Sequence, residues 1–310
     1  MRTRTPRAVS AGVLEGYLEA SAARGRRAAK NGSVTTQIPA LANVPASKFA
    51  MAVATTGGTE VHTGDSGEAF SIQSVSKLFS LCAALHYDRD IWAHVGWGST
   101  DSGYGSVAEL ERERGRPRNP FVNPGALVVT DRLMQHTGDA VDATIDLIES
   151  GAHTGAIESD LEVAASETMT DHRNSAIAHV LAEHGMLTHG IEHVLTQYFQ
   201  QCAITASVRA LTRAALFLAD RHPRRGWLDA PTIRRVNAVL LTSGMYSAAG
   251  DIAYRIGLPA KSGIGGGVLA IMPGLGTVCV WSPPLDRDGN SAGGVAAIEE
   301  FARLAGWSVF

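Results

Sequence analysis

A chain of 310 residues, 45% hydrophobic and 18% charged, has enough apolar side chain to bury a large core, which excludes disorder over most of its length. A net charge of -3 and a pI near 6.4 give no general attraction for nucleic acid or for an anionic membrane, so neither is expected as a partner. The expected partner is a small molecule.

Residues 1–27 are basic, with Arg2, Arg4, Arg7, Arg24, Arg26 and Arg27, but lack the uninterrupted apolar run of a secretory signal. They read as a frayed start leading into a helix. No segment approaches the roughly 20 consecutive apolar residues of a membrane span, and a cytoplasmic protein is expected. Residues 48–55 (KFAMAVAT) alternate and are β-rich, Gly57-Gly58 reads as a turn, and residues 59–62 can return as a second strand. The pattern then becomes helical: apolar residues recur at helical spacing over 74–87, 127–136, 140–149, 173–184, 191–200 and 209–220. Residues 97–105 (WGSTDSGYG) and 221–225 read as loops. A second hairpin is expected from residues 267–272 and 277–281 around Pro273-Gly274-Leu275-Gly276. The final helix is expected over 293–304, with Ser291 as its cap and Gly306 beyond its end.

Strands at both ends enclosing a helical middle predict an α+β fold in which the two hairpins share one antiparallel sheet. With no repeat and no compositional boundary, residues 1–310 read as a single domain. About 1–95 and 226–310 would carry the sheet, and about 96–225 would be mostly helical.

Cys82, Cys202 and Cys279 are an odd number of widely spaced cysteines in apolar surroundings, as expected of buried thiols. The eleven histidines form no HxH or HExxH pattern, so no metal and no cofactor is expected. Ser74 and Lys77, in Phe70-Ser71-Ile72-Gln73-Ser74-Val75-Ser76-Lys77, stand at i and i+3, which places both on one helical face. At a helix start, unpaired N–H groups and the dipole favour negative charge on the serine oxygen, and a desolvated lysine with a lowered pKa can take its proton.

Alone, Ser-x-x-Lys is a weak motif and Lys77 could be a solvated helix charge. Lysine usage strengthens it: only Lys30, Lys48, Lys77 and Lys261 stand among 27 basic residues. Lysine can lose its proton when buried, and arginine cannot. Lys261-Ser262-Gly263, followed by Ile264-Gly265-Gly266-Gly267, reads as glycine-rich backbone that can approach a ligand closely, or as a bulge.

Together these motifs make the chain resemble the bacterial and mitochondrial serine-dependent glutaminases, which have a β-lactamase-like fold. The resemblance rests on 70–77, on Arg118-Asn119-Pro120-Phe121-Val122-Asn123, and on Ser166-Glu167 with Arg173-Asn174. It extends through Tyr198-Phe199-Gln200-Gln201-Cys202, Gly244-Met245-Tyr246 and Gly257 to Gly263, ending with Ser282-Pro283-Pro284-Leu285 and Gly289-Asn290-Ser291. It implies that Ser74 forms an acyl-enzyme, Lys77 activates it and Tyr246 assists proton transfer. Gln73, Asn123, Glu167, Asn174, Tyr198 and Lys261 would hold glutamine, Glu167 taking its ammonium group. The N–H groups of Ser74 and Ile264 would form the oxyanion hole. His172, His179, Asp171 and Arg173 read as structural. A homodimer or homotetramer is implied.

The sequence departs from that pattern in three places. Gln37 stands where the resemblance puts a tyrosine before Ile38-Pro39, and an amide does not titrate as a phenol does. Gly98-Ser99-Thr100-Asp101 replaces a Glu-Pro-Ser-Gly loop, and Pro124 follows Asn123 in place of alanine. Hydrolysis of L-glutamine to L-glutamate and ammonia is therefore the leading expectation. Action on another amide, acyl transfer to an amine, silent amino-acid binding and acylation by a β-lactam stay open beside it.

Overall fold

The computed structural model describes residues 10–154, 157–221, 223 and 226–310; Arg2, Arg4 and Arg7 and part of the 221–225 loop lie outside the described residues. The basic start leads into α1 (Ala11–Ala29). β1 (Ala50–Thr55) and β2 (Glu60–Gly64) form the first hairpin, closed by Gly58 at φ 86°. Three short strands follow at wide spacing, β3 (Phe70–Ser71), β4 (Glu158–Ser159) and β5 (Ile204–Ala206). Near the end come β6 (Ala260–Ser262), β7 (Gly267–Met272) and β8 (Gly276–Trp281).

The two expected hairpins do share one antiparallel sheet, in the order β2-β1-β8-β7-β6, with Ala50 opposite Trp281 where β1 meets β8. Side chains alternate across it as the strand period requires. Met51, Val53, Val268, Ala270, Val278 and Val280 join one buried cluster with Leu14, Leu18 and Phe301, so this face lies under α1 and the C-terminal helix. Ala50, Ala52, Leu269, Ile271, Cys279 and Trp281 face the helical part. A sheet covered on both sides needs apolar residues at nearly every position, which is why β7 and β8 read as continuous apolar runs.

The helical part centres on α2 (Ser76–Tyr87), buried from Ser76 through Leu85 on every side. Around the chain follow α3 (Ile91–His94), α4 (Val107–Arg112), α5 (Asn123–Thr137), α6 (Ala140–Ala152), α7 (Leu161–Thr170), α8 (His172–Glu183), α9 (Ile191–Cys202) and α10 (Val208–Ala214). The last three are α11 (Ala230–Ser243), α12 (Ala249–Arg255) and α13 (Ala292–Ala305). Ser291 caps α13 by accepting from the Gly294 N–H at 3.0 Å, and Gly306 ends it in the left-handed region.

Several expectations need correcting. The helix read over 209–220 is two pieces: α10 ends at Ala214 and a 3₁₀ turn occupies Leu216–Ala219. The expected helical segments leave out α3, α4, α7, α11 and α12: α3 and α4 are too short to show a period, α7 has no clean apolar stripe, and on α11 the spacing of Ile233, Val236 and Leu240 is a helical signal that the expectation omits. A second sheet, β3-β5-β4, joins strands too short to show a period. It fixes the approach to Ser74: the Ile72 N–H donates to the Ile204 carbonyl at 2.9 Å just past β3.

Candidate active site

Between β3 and α2 the chain makes a tight 3₁₀ turn, Gln73–Val75, so Ser74 lies one step before α2 rather than within its first α-helical turn. Gln73 holds φ 48°, a left-handed conformation that a side chain with a Cβ adopts at a cost of about 1–3 kcal/mol. Tyr246, at φ 55°, is strained in the same way. Both line one cavity of about 680 Å³, together with Ser74, Asn123, Glu167, Asn174, Tyr198, Ile264 and Gln37. The fold thus gathers into one wall residues from 37 to 264 that the sequence scatters.

Lys77 and Lys261 sit beneath that wall. Lys77 is buried, and its Nζ donates to Asn123 Oδ1 at 2.5 Å and lies 5.7 Å from the Tyr198 ring centre. No hydrogen bond joins it to Ser74 among the described residues. Burial lowers its pKa to about 8, partly opposed by the neighbouring Cys202, Glu167 and Asp171 side chains. Lys261, expected to touch the substrate, lies one layer back: it is fully buried, donates to the Ser262 carbonyl at 2.6 Å and stands 4.3 Å from the Tyr246 ring centre. Burial, then the Lys77 charge, holds its pKa well below the usual lysine range. The Tyr246 hydroxyl donates to the same Ser262 carbonyl at 3.2 Å and hydrogen-bonds Ser74. Burial pushes that phenol well up, so it stays protonated.

Glu167 lines the cavity within reach of the Lys77 charge. Burial, followed by repulsion from Asp171, raises its carboxyl to about 8, while the Lys77 charge and a hydrogen bond from Gln73 oppose the rise. Its Oε2 is buried with no hydrogen-bond partner among the described residues. A buried acceptor left unpaired is costly unless a ligand completes it. The neighbouring amides are linked: Asn123 Nδ2 donates to Asn174 Oδ1 at 2.8 Å, and Asn174 donates to Asp171 through its side chain and, at 2.9 Å, through its backbone N–H.

The backbone after β6 passes close to Ser74. A Cβ added to Gly263 would stand 2.5 Å from the Ile72 carbonyl oxygen and 3.1 Å from the Ser74 nitrogen, and one on Gly265 would stand 2.2 Å from the Ser71 carbonyl oxygen. The glycines therefore let the chain after β6 lie directly on the 71–74 segment, with Ile264 on the cavity. Neither the Ser74 nor the Ile264 N–H has an acceptor among the described residues.

Residues outside the expected set also line the cavity, among them Asp171, Tyr104 and Cys202. Asp171 was legible as the cap of α8, three residues before Asn174, and the fold adds its place on the cavity wall. Tyr104 is the lone aromatic among the small residues that follow Trp97. The Cys202 thiol is buried, as expected, and its pKa is pushed up by that burial. Arg173, read as structural, also lines the cavity. Pro124 leaves α5 intact, because it occupies the first turn, where a proline removes an N–H that has no helical acceptor. Among the described residues no group of side chains is arranged to hold a metal ion, and no helix is long and apolar enough to cross a membrane.

The family profile described as Glutaminase matches residues 32–310. A glutaminase of Streptomyces coelicolor is 45% identical over 94% of this chain and 97% of its own, and one of Paraburkholderia phytofirmans is 44% identical over 90% and 93%. Among solved structures, the probable glutaminase ybaS is 30% identical and superposes with a TM-score of 0.89 over 97% of this chain and 99% of its own. A probable glutaminase from Bacillus subtilis complexed with 6-diazo-5-oxo-L-norleucine is 27% identical, with a TM-score of 0.83 over 99% of both chains.

Proposed function

The chain belongs to the glutaminase family, and from that premise we propose that it hydrolyses L-glutamine to L-glutamate and ammonia through an acyl-enzyme on Ser74. One observation carries the substrate reading: Glu167 Oε2, buried and without a hydrogen-bond partner among the described residues, belongs to a residue that lines the same cavity as Ser74. A substrate with an ammonium group at one end and an amide at the other completes the first and meets the second. Binding the ammonium offsets the charge repulsion from Asp171 and restores Glu167 to its ionised form.

In the reaction, Ser74 Oγ attacks the side-chain amide carbon while its proton passes to neutral Lys77, with Tyr246 as the bridging hydroxyl. The oxyanion forms between the Ser74 and Ile264 N–H groups, placed before the reaction by the glycine run. Collapse breaks the C–N bond, the proton returns to the leaving nitrogen, and ammonia departs. Water then attacks the ester, losing its proton to the same base, and glutamate leaves Ser74 free. In the resting protein the Lys77 amine rests on Asn123, so the proton transfer requires the contact with Ser74 to tighten on substrate binding, as catalytic contacts commonly do. Gln73 and Tyr198 shape the floor, and Asn123 and Asn174 supply amide donors to the carboxylate.

The single-domain reading of residues 1–310, a cytoplasmic location and a homodimer or homotetramer belong to the same proposal. The test is ammonia release from L-glutamine, D-glutamine, L-asparagine and simple amides, comparing the protein with Ser74→Ala. Release selective for L-glutamine and lost in the variant supports the proposal. Tight glutamine binding without ammonia would instead make the protein a silent binder, and release from another amide alone would change the substrate.

A further inference from the structure

One of the sequence departures, Gln37, meets a residue just beyond another, the rebuilt loop at 98–101. The segment that begins with the rebuilt loop folds back on the Asn119 motif, Gly98 N–H donating to the Arg118 carbonyl and Asn119 Nδ2 to the Gly98 carbonyl, each at 2.9 Å. It then delivers Tyr104 to the cavity that Gln37 also lines, where the Gln37 side chain acts on the phenol as a hydrogen-bond donor that lowers its pKa. Three further contacts hold Tyr104. Its ring packs on Tyr246 with centroids 4.9 Å apart and planes tilted by 44°, its main-chain carbonyl accepts the Asn123 N–H at 2.8 Å, and Gly105 beside it packs on Arg173.

The chemistry of this pair is specific. The Gln37 bond acts to lower the phenol pKa, as a bond donated to the phenol oxygen does, which leaves the phenol proton free. Burial, then the Asp171 and Glu167 charges, outweighs it and keeps the phenol protonated. Tyr104 is thus a neutral donor whose hydroxyl has no acceptor among the described residues, in electrostatic reach of both the Glu167 end and Tyr246. The Asn123 and Asn174 side-chain amides, by contrast, each already spend a hydrogen within the protein.

We propose that Tyr104 is a substrate-binding, specificity-determining residue: its phenol, aimed by Gln37, donates to the α-carboxylate of the amino-acid substrate while Glu167 takes the ammonium group. This deepens the glutaminase reading and rests on it. Gln37, which acts through Tyr104, is a positioning residue. Gln37 and Tyr104 are then one device, an amide and a phenol that together supply a fixed donor.

The test compares Tyr104→Phe and Gln37→Leu with the unaltered protein, using L-glutamine, L-glutamine methyl ester and the product L-glutamate. A hydrogen bond to a charged group contributes about 1.5–3 kcal/mol, so Tyr104→Phe should raise KM for L-glutamine and Kd for L-glutamate by roughly 10- to 100-fold, with kcat little changed. kcat/KM for the ester, which has no carboxylate charge, should fall less than about threefold. Gln37→Leu should give a smaller loss of the same kind. Equal losses on acid and ester, or an unchanged KM and Kd, would overturn the proposal. Glutamate binding is read by calorimetry without turnover, so Ser74-independent or absent ammonia release counts against the hydrolytic mechanism, and an unshifted Kd counts against Tyr104.

Discussion

Lys77 and Lys261, two of the four lysines in the chain, lie buried close enough that the charge of Lys77 further depresses Lys261. Two ammonium groups are costly in that space, and it is the Lys261 amine that burial and the Lys77 charge push toward the neutral form. Its amine against the Tyr246 ring and the Ser262 carbonyl orders the phenol that reaches Ser74. Lys77, with its pKa near 8, is left as the group that changes charge in the working range.

A pH profile follows from that assignment. A base must be neutral to accept a proton, so kcat should rise with pH through about 8 and level off above it. The raised carboxyl of Glu167 acts in the same direction on binding, because the ammonium group needs the ionised form; KM should fall as pH rises toward about 8. Initial rates between pH 6 and 9 check both. A kcat that falls through this range would remove Lys77 as the base.

Ser74→Ala should leave the fold intact and reduce kcat by on the order of 10⁴-fold or more, since the hydroxyl forms the covalent intermediate. Mass spectrometry during turnover should show an acyl adduct on Ser74 in the unaltered protein and none in the variant. Residual Ser74-independent hydrolysis of similar size would refute a serine nucleophile.

Glu167→Gln separates function from stability. The folded-state pKa of Glu167 is raised from 4.5 to about 8, so its contribution to stability is complete below pH 4.5 and is lost as pH rises toward 8. A glutamine cannot ionise, and the variant should gain thermal stability relative to the parent progressively over that window. L-glutamine binding should weaken by about 100-fold as the ammonium loses its charged partner. Melting curves at pH 5 and 8, with calorimetric titration of L-glutamate, measure both effects.

Gly263→Ala tests the oxyanion hole without touching a reactive side chain. The added Cβ would stand 2.5 Å from the Ile72 carbonyl oxygen, a backbone atom that yields only if the 263–264 segment lifts away from Ser74. Loss of one aligned N–H should cost about 10²–10³ in kcat, with KM less affected. An unchanged kcat would mean that Ile264 N–H plays no part.

Tyr246→Phe should lower kcat by about 10²-fold, in the range for loss of a proton-transfer group, and leave L-glutamate binding within about threefold. Rates and Kd measured on one preparation distinguish this from a collapse of the cavity, which would weaken both.

The sequence by itself determined a good part of this protein. The two hairpins were legible because alternating and continuous apolar runs stand beside glycine turns, and α13 because Ser291 and Gly306 mark its ends. The glutaminase resemblance was legible because short motifs recur in order, and lysine scarcity pointed to Lys77 and Lys261. α7 was not, since the helix that carries Glu167 shows no clean apolar stripe: Val163 and Ala164 are buried only by packing against Ile38, Leu41 and Ala203. Three matters belonged to the tertiary structure alone: that Lys261 stands behind Tyr246, that Glu167 Oε2 has no hydrogen-bond partner among the described residues, and that Gln37 and Tyr104 line one cavity across 67 positions of chain. Each depends on desolvation and on distances between residues remote in sequence, and local propensity carries no record of either.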